Sequence, residues 1–222
     1  MYFVNFAYGA FQKVSKAALL TSLLFSPAVA SERVDILAFG DSLTAGYGLM
    51  DHEGLVPQLT AWLKEKGHDV RIINAGVSGD TTAGGLERLE WSLTDDIDAM
   101  IIELGANDML RAIDPAATRE NIAKMLEIAK GHNIQVLLIG LTAPSNYGSD
   151  WKTEFERIWP ETSSQYGTQL MPDFFSAFAG MDLATASAFF QPDGLHPNAE
   201  GVAKVVETLG PHVEALIGQV AR

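Results

Sequence analysis

Two short segments carry side chains that together can form a nucleophilic centre. Ser42 follows an apolar run that ends in glycine and aspartate, and Asp193 precedes His196 by three residues near the C-terminus. A serine hydroxyl attacks a carbonyl carbon when an imidazole takes its proton, and a carboxylate on the other ring nitrogen fixes the imidazole tautomer. The residue types and their spacing therefore predict Ser42 as nucleophile, His196 as base and Asp193 as orienting acid.

Acyl transfer through a serine also needs hydrogen-bond donors for the oxyanion that forms during attack. The backbone amide of Ser42 is one candidate, because a helix is predicted to begin there with free N–H groups. Gly76 offers an N–H that no Cβ shields, and Asn107 offers a side-chain NH₂ that adds no titratable charge. We expect Ser42, Gly76 and Asn107 to form the oxyanion hole.

Each of these residues also has a purely structural interpretation when it is taken alone. Ser42 is a common helix N-cap, Gly76 fits a turn, Asn107 fits an Asx turn, and the C-terminal segment is an ordinary Asp-Gly turn with a surface histidine. Asp108 is interpreted as a local cap or hydrogen-bond partner rather than as a catalytic acid. Taken together, the segments favour catalysis over these structural interpretations, because they supply each role of a serine hydrolase and no role is filled twice.

Apolar runs of strand length alternate with segments of helical periodicity along the chain. The predicted strands cover 34–39, 70–73, 99–104, 134–141 and 170–174, and the predicted helices cover 55–66, 82–93, 115–130, 150–164 and 198–216. Strands joined by single helices form parallel βαβ units, and their continuous apolar character indicates a sheet covered on both faces. Ligands of such sheets lie beyond the carboxyl ends of the strands, where Ser42, Gly76 and Asn107 fall.

The composition is that of an ordinary globular protein and excludes several classes of site. It has 222 residues, of which 47% are hydrophobic and 19% are charged, and it has no cysteine, so disulfides and thiolate nucleophiles are excluded. A formal net charge of -13 disfavours nucleic acids and anionic membranes as partners. The sequence has no phosphate-binding loop, and Asp51-His-Glu53 is interpreted as a solvated loop rather than a metal site.

Residues 1–30 have the order of a secretory signal. Lys13 and Lys16 are the only charged side chains there, an apolar run over 17–25 follows them, and Ala28-Val-Ala30 provides a small-x-small cleavage site. We expect cleavage after Ala30, a single mature domain over 31–222 and a periplasmic or secreted location. A first core helix and a retained anchor are the alternatives, although the run is shorter than the roughly 20 residues of a spanning helix.

With these motifs the chain resembles the SGNH, or GDSL, hydrolase family, and within it the bacterial arylesterase, thioesterase and lysophospholipase branch. The matching segments are Phe39-Gly-Asp-Ser-Leu-Thr-Ala-Gly-Tyr-Gly48, Asn74-Ala-Gly-Val-Ser-Gly-Asp-Thr81, Glu103-Leu-Gly-Ala-Asn-Asp108, Pro144-Ser-Asn-Tyr-Gly148 and Asp193-Gly-Leu-His196. The resemblance implies a flavodoxin-like three-layer sandwich of about five parallel strands with helices on both faces. It also implies oxyanion donors at Ser42, Gly76 and Asn107, and hydrolysis without a metal or an organic cofactor.

The motifs and the resemblance predict a serine ester hydrolase that works through an acyl-enzyme on Ser42. The expected substrates are small-molecule carboxylic esters with acyl, aryl or lysophospholipid groups, with thioesters as a further class, and a monomer is expected. Carbohydrate O-deacetylation is the alternative within the same chemistry, and a shallow polar cleft would favour it. A non-catalytic flavodoxin-like binding module is the alternative from another class, and it would need a damaged triad.

Overall fold

A parallel sheet forms the centre of the protein. The computed structural model describes residues 1–3 and 33–220. Within them the strands are β1 (Val34–Gly40), β2 (Val70–Gly76), β3 (Ala99–Glu103), β4 (Gln135–Ile139) and β5 (Gln169–Met171). These five strands pair in the order β2-β1-β3-β4-β5, and every pairing is parallel. The predicted flavodoxin-like sheet of about five parallel strands is therefore confirmed.

Helices cover both faces of this sheet. They are α1 (Ser42–Ala45), α2 (Leu55–Glu65), α3 (Thr82–Ser92), α4 (Ala106–Leu110), α5 (Pro115–Gly131), α6 (Ser149–Tyr166), α7 (Leu183–Ser187) and α8 (Ala199–Ile217). Helix α2 packs against α8, whereas α5 packs against both α3 and α6. Parallel crossovers are right-handed, so the direction of a crossover along the sheet decides the face on which its helix lies. The crossover through α2 runs one way along the sheet. The three later crossovers run the other way, so their helices lie on the opposite face.

The strands coincide with continuous apolar runs of the sequence, which are buried when the chain folds. Every residue of β1 and of β3 is buried, including Phe39 and Ile102, which are fully inaccessible. Burying one such large side chain contributes about 1.5–3 kcal/mol. Two acidic residues interrupt these strands. Asp35 forms ion pairs with Arg33 and Arg71 at the amino-terminal ends of the strands. Glu103 lies beneath the site described below.

The observed boundaries differ most from the predicted ones at β2 and β5, where a strand end moves by three residues. Strand β2 continues to Gly76 instead of ending at 73, because residues 74–76 pair with residues 38–40 of β1. Strand β5 ends at Met171 rather than near 174, and a 3₁₀ helix over Phe174–Phe178 follows it. Helix α1 begins at Ser42, where a helix was expected, whereas the short helices α4 and α7 were not predicted, since five residues are too few to establish a helical period.

The predicted signal segment lies outside the described residues, apart from 1–3. Within the part of the chain that the structure describes, none of the helices combines the length and the apolar character that crossing a bilayer requires.

Candidate active site

Ser42 stands at the carboxyl end of β1, on the first residue of α1. Its Oγ lies 2.8 Å from Nε2 of His196. The N-cap of α1 is Asp41, whose Oδ1 accepts from the Leu43 N–H at 3.0 Å. The Ser42 hydroxyl is therefore not consumed in capping the helix and is free to face the imidazole.

Asp193 and His196 are held together by a tight turn. Asp193 Oδ1 accepts from the backbone N–H groups of Leu195, at 2.9 Å, and of His196, at 3.1 Å, while Oδ2 lies 2.6 Å from His196 Nδ1. The hydrogen bond from His196, followed by those from the two backbone groups, lowers the pKa of Asp193 to about 2. Asp193 is thus ionised at neutral pH and orients the imidazole with Nε2 toward Ser42.

A second set of contacts ties this turn to the loop after α1, and the sequence did not reveal it. The ring of Tyr47 lies over the His196 imidazole, with centroids 4.7 Å apart. Gln191 Nε2 donates to the backbone oxygens of Tyr47, at 2.7 Å, and of Pro197, at 3.1 Å. Because the Ser42 loop and the His196 turn are distant in sequence, this bridge helps to set the distance between their side chains.

Asn107 lies in α4, directly after β3, as the sequence predicted. Its Nδ2 donates to Asp41 Oδ2 at 3.0 Å, which leaves one amide hydrogen for a ligand. The Asx-turn interpretation finds no support, since no hydrogen bond to its Oδ1 occurs among the described residues. Asp108 accepts from both the N–H and the hydroxyl of Thr82, 26 residues away, and from the Thr118 hydroxyl, 10 residues away, so it is a buried hydrogen-bond partner of α3 and α5 rather than a local cap.

Gly76 has a different environment from the one expected. Its N–H donates to Asn74 Oδ1 at 2.9 Å, and a Cβ at this position would lie 2.3 Å from the backbone nitrogen of Ala45. The absence of a side chain therefore allows α1 to approach β2, rather than a substrate. Gly79 lines the cleft beside Ser42 instead, and its N–H meets no protein acceptor among the described residues.

The reactive side chains open onto a cleft of about 240 Å³. Most of its lining is apolar, with few polar groups besides those discussed above. The lining residues are Ser42, Leu43, Tyr47, Ser78, Gly79, Ala106, Asn107, Met109, Leu110, Phe175, Leu195 and His196. Leu110 and Leu195 are about half exposed, at 51% and 48%, so apolar side chains also form the rim. The cleft is suited to an uncharged, apolar group next to a reacting carbonyl.

A hydrogen-bonded Ser–His–Asp series at the carboxyl edge of a parallel sheet is the arrangement of a serine hydrolase, which is recognised by geometry rather than by sequence position. The sequence model of the GDSL-like Lipase/Acylhydrolase family matches residues 38–204. The chain belongs to this family, which is also named SGNH, and it is a serine ester hydrolase.

Individual relatives agree with this assignment. Esterase TesA of Pseudomonas aeruginosa is 36% identical over 183 residues, which cover 82% of this chain and 89% of the relative. An arylesterase of Vibrio mimicus is 36% identical over 194 residues, which cover 85% of this chain and 94% of the relative. The crystal structure of AlinE4, an SGNH-hydrolase family esterase, superposes with a TM-score of 0.68 at 41% identity and covers 83% of this chain and 96% of its own.

Proposed function

We propose that this protein hydrolyses carboxylic esters with an apolar acyl or aryl group, through an acyl-enzyme on Ser42. The observation that carries the proposal is the continuous series from Ser42 Oγ to His196 and Asp193, which opens onto the apolar cleft. His196 Nε2 takes the hydroxyl proton as Ser42 Oγ bonds to the ester carbonyl carbon. The ionised Asp193 stabilises the imidazolium that results.

The reaction is completed by three further proton transfers. The imidazolium gives its proton to the leaving alcohol oxygen as the ester C–O bond breaks, which leaves the acyl group on Ser42. Water then attacks the acyl carbon while His196 takes one of its protons. That proton returns to Ser42 Oγ when the carboxylic acid leaves, so the enzyme ends in its starting state.

The oxyanion receives donors from three parts of the sheet edge in this proposal. The Ser42 N–H has no acceptor among the described residues, and the Asn107 amide retains one free hydrogen. For the third donor we propose the Gly79 N–H in place of the expected Gly76, since Gly79 lines the cleft and the Gly76 N–H is bonded to Asn74. Donors fixed before the reaction stabilise developing charge without reorganisation.

The lining of the cleft separates the candidate substrates. A sugar ring presents hydroxyl groups that lose free energy when they are buried without partners, at about 1–3 kcal/mol each. The apolar lining therefore favours acyl, aryl and lysophospholipid esters, with thioesters as a further class, over O-acetylated carbohydrates. The volume is below the roughly 300–1,000 Å³ of pockets that enclose drug-sized ligands, which favours small or partly enclosed groups.

We further propose that the protein is exported and cleaved after Ala30. The order of lysines, apolar run and small residues supports this proposal, and the family match begins downstream of it, at residue 38. An exported enzyme meets lipid and small carboxylic esters rather than cytosolic thioesters.

The test is Ser42→Ala with Ser164→Ala as its matched control, assayed on p-nitrophenyl esters of increasing acyl length and on O-acetylated sugars. Ser164 is an exposed serine of α6, so its replacement controls for the loss of a hydroxyl. We expect Ser42→Ala to fold normally and to lose about 10⁴–10⁶ in turnover, whereas Ser164→Ala keeps it. Turnover by Ser42→Ala close to that of the wild type would refute the mechanism. Faster turnover of O-acetylated sugars than of acyl esters would refute the substrate class.

A further inference from the structure

Two acidic side chains are buried side by side beneath Ser42. Asp41 has 0% exposure and Glu103 has 1%, and Gly40, the residue before Asp41, is the register partner of Glu103 across β1 and β3. Among the described residues neither carboxyl has a lysine or an arginine as a hydrogen-bond partner. Isolated buried carboxylates are strongly disfavoured, so the protein must compensate this pair in another way.

Asp41 accepts more hydrogen bonds than Glu103 does. Both Asp41 oxygens accept, one from the Leu43 N–H and one from Asn107 Nδ2, each at 3.0 Å. Glu103 Oε2 accepts from the Thr44 hydroxyl at 2.9 Å, while its Oε1 is buried with no partner of that kind within the described part of the chain. The Glu103 carboxyl nevertheless lies close enough to Asp41 for each group to perturb the pKa of the other. A proton on Glu103 converts the orphan acceptor into a donor toward Asp41.

The glycine of the Gly-Asp-Ser segment makes room for this arrangement. A Cβ on Gly40 would lie 2.1 Å from the Thr44 hydroxyl oxygen and 2.8 Å from Glu103 Oε2. Any side chain there would displace the bond between Thr44 and Glu103. Gly40, Asp41 and Glu103 thus form one packed unit at the carboxyl ends of β1 and β3.

The electrostatics agree with a single shared proton. Burial raises the pKa of Asp41 to about 6, against the opposing effect of its hydrogen bonds and of the nearby His196. Burial, and then the charge of Asp41, raises the pKa of Glu103 well above its ordinary value. Ionising two adjacent buried carboxyls together is strongly unfavourable. The shared proton belongs on Glu103, whose Oε1 has no hydrogen-bond donor, because both Asp41 oxygens already accept hydrogen bonds.

We propose that Asp41 and Glu103 form a one-proton acid pair that positions the oxyanion donors of this enzyme. The proposal rests on the oxyanion role given above to Asn107 and to the Ser42 amide. The Asp41 carboxylate accepts from Asn107 Nδ2, so it selects the amide orientation that places NH₂ rather than the oxygen at the site. The same carboxylate caps the turn of α1 that presents Ser42, and the neutral Glu103 holds it in place.

The pair predicts opposite results for two nearly isosteric substitutions. In Glu103→Gln the new amide still accepts from Thr44 and donates to Asp41, as the protonated acid does. In Asp41→Asn a single amide oxygen replaces the two acceptors that Leu43 and Asn107 require. We therefore expect Glu103→Gln to keep kcat within about threefold, and Asp41→Asn to lower kcat by about 10–100-fold with KM nearly unchanged.

Further variants keep the test decisive if Asp41→Asn folds poorly. Asp41→Ser retains an oxygen that caps the helix and loses the acceptor for Asn107, so the same fall in kcat is expected with a near-normal melting temperature. Glu103→Leu removes the donor and should lower kcat where Glu103→Gln does not. The selective loss of kcat separates positioning from a general loss of stability.

The outcomes distinguish this inference from the function on which it rests. Ser42→Ala is measured in the same ester assay, and turnover by that variant would remove the proposed mechanism itself. If Ser42→Ala is inactive while Asp41→Asn and Asp41→Ser match the wild type, only the positioning role is wrong. If Glu103→Gln loses as much kcat as Asp41→Asn, Glu103 is not the protonated member and the one-proton pair is refuted.

Discussion

The stability of the Glu103→Gln variant should respond to pH differently from that of the wild type. Glu103 is buried with a pKa raised well above 4.5, whereas in the unfolded chain it ionises near 4.5. Between these values the folded state binds one proton that the unfolded state has lost. By proton linkage, Glu103 contributes its full stabilisation below pH 4.5. This contribution is progressively lost as pH rises toward the pKa of Glu103 in the folded state. Glutamine does not titrate in either state, so the substitution removes this pH dependence of stability.

The magnitude follows from one proton over the chosen interval. Each pH unit over which only the folded state keeps the Glu103 proton costs about 1.4 kcal/mol, so from about pH 5.5 to about pH 7 the wild type should lose up to about 2 kcal/mol of unfolding free energy relative to Glu103→Gln. Titrating groups remote from Glu103 are common to both proteins and cancel in the difference, whereas Asp41, whose pKa of about 6 depends in part on Glu103, adds its own change within this interval. Urea unfolding followed by tryptophan fluorescence measures this, because Trp159 is 1% exposed and reports on the core.

The matched control is Glu87→Gln, which makes the same substitution at an exposed position of α3. Its free energy of unfolding should run parallel to that of the wild type across the same pH range. Parallel curves for the wild type and Glu103→Gln would refute the reasoning, since they would mean that Glu103 is ionised in both states.

Three further outcomes are expected. Asn107→Ala should lower kcat by about 10²–10³ with little change in KM, measured by steady-state kinetics; a destabilised but fully active variant would leave the oxyanion role without support. Gln191→Ala loses the bonds to Tyr47 and Pro197, and should lower the unfolding free energy by about 1–2 kcal/mol and reduce kcat more than it raises KM; unchanged kcat would show that this bridge does not set the distance between Ser42 and His196. Mass spectrometry of the protein exported from a Gram-negative host should find an N-terminus close to Ser31, and full-length protein kept in the cytosol would contradict the signal.

The main elements of the fold could be predicted because each depends on a contiguous pattern. Buried strands such as β1 and β3 are unbroken apolar runs, and α5 begins at an Asp-Pro cap whose Asp114 accepts from the Ala116 N–H as expected. The Asp193 turn was equally accessible, since its hydrogen-bond partners lie within three residues along the chain. The proposed nucleophile was suggested by its place after a buried strand, taken together with the Asp–His segment.

The residues that sequence reasoning missed depend on which strands become neighbours. Gly76 was expected at the cleft because β2 was predicted to end early; pairing with β1 carries the strand to Gly76 and leaves Gly79 beside Ser42. A signal for Glu103 did exist, since a lone acidic residue that ends an otherwise apolar run marks a buried polar group. What that residue contacts was not visible in the run.

Periodicity, and partners a few residues apart, were enough to predict the alternation of strands and helices, the proposed nucleophile and the local Asp–His turn. Only the folded chain shows the apolar lining of the cleft, the bridge from Gln191 to Tyr47, the bond from Asn107 to Asp41 and the burial of Asp41 beside Glu103. The physical reason is that the register of a parallel sheet brings together residues whose separation along the chain says nothing about their distance in space.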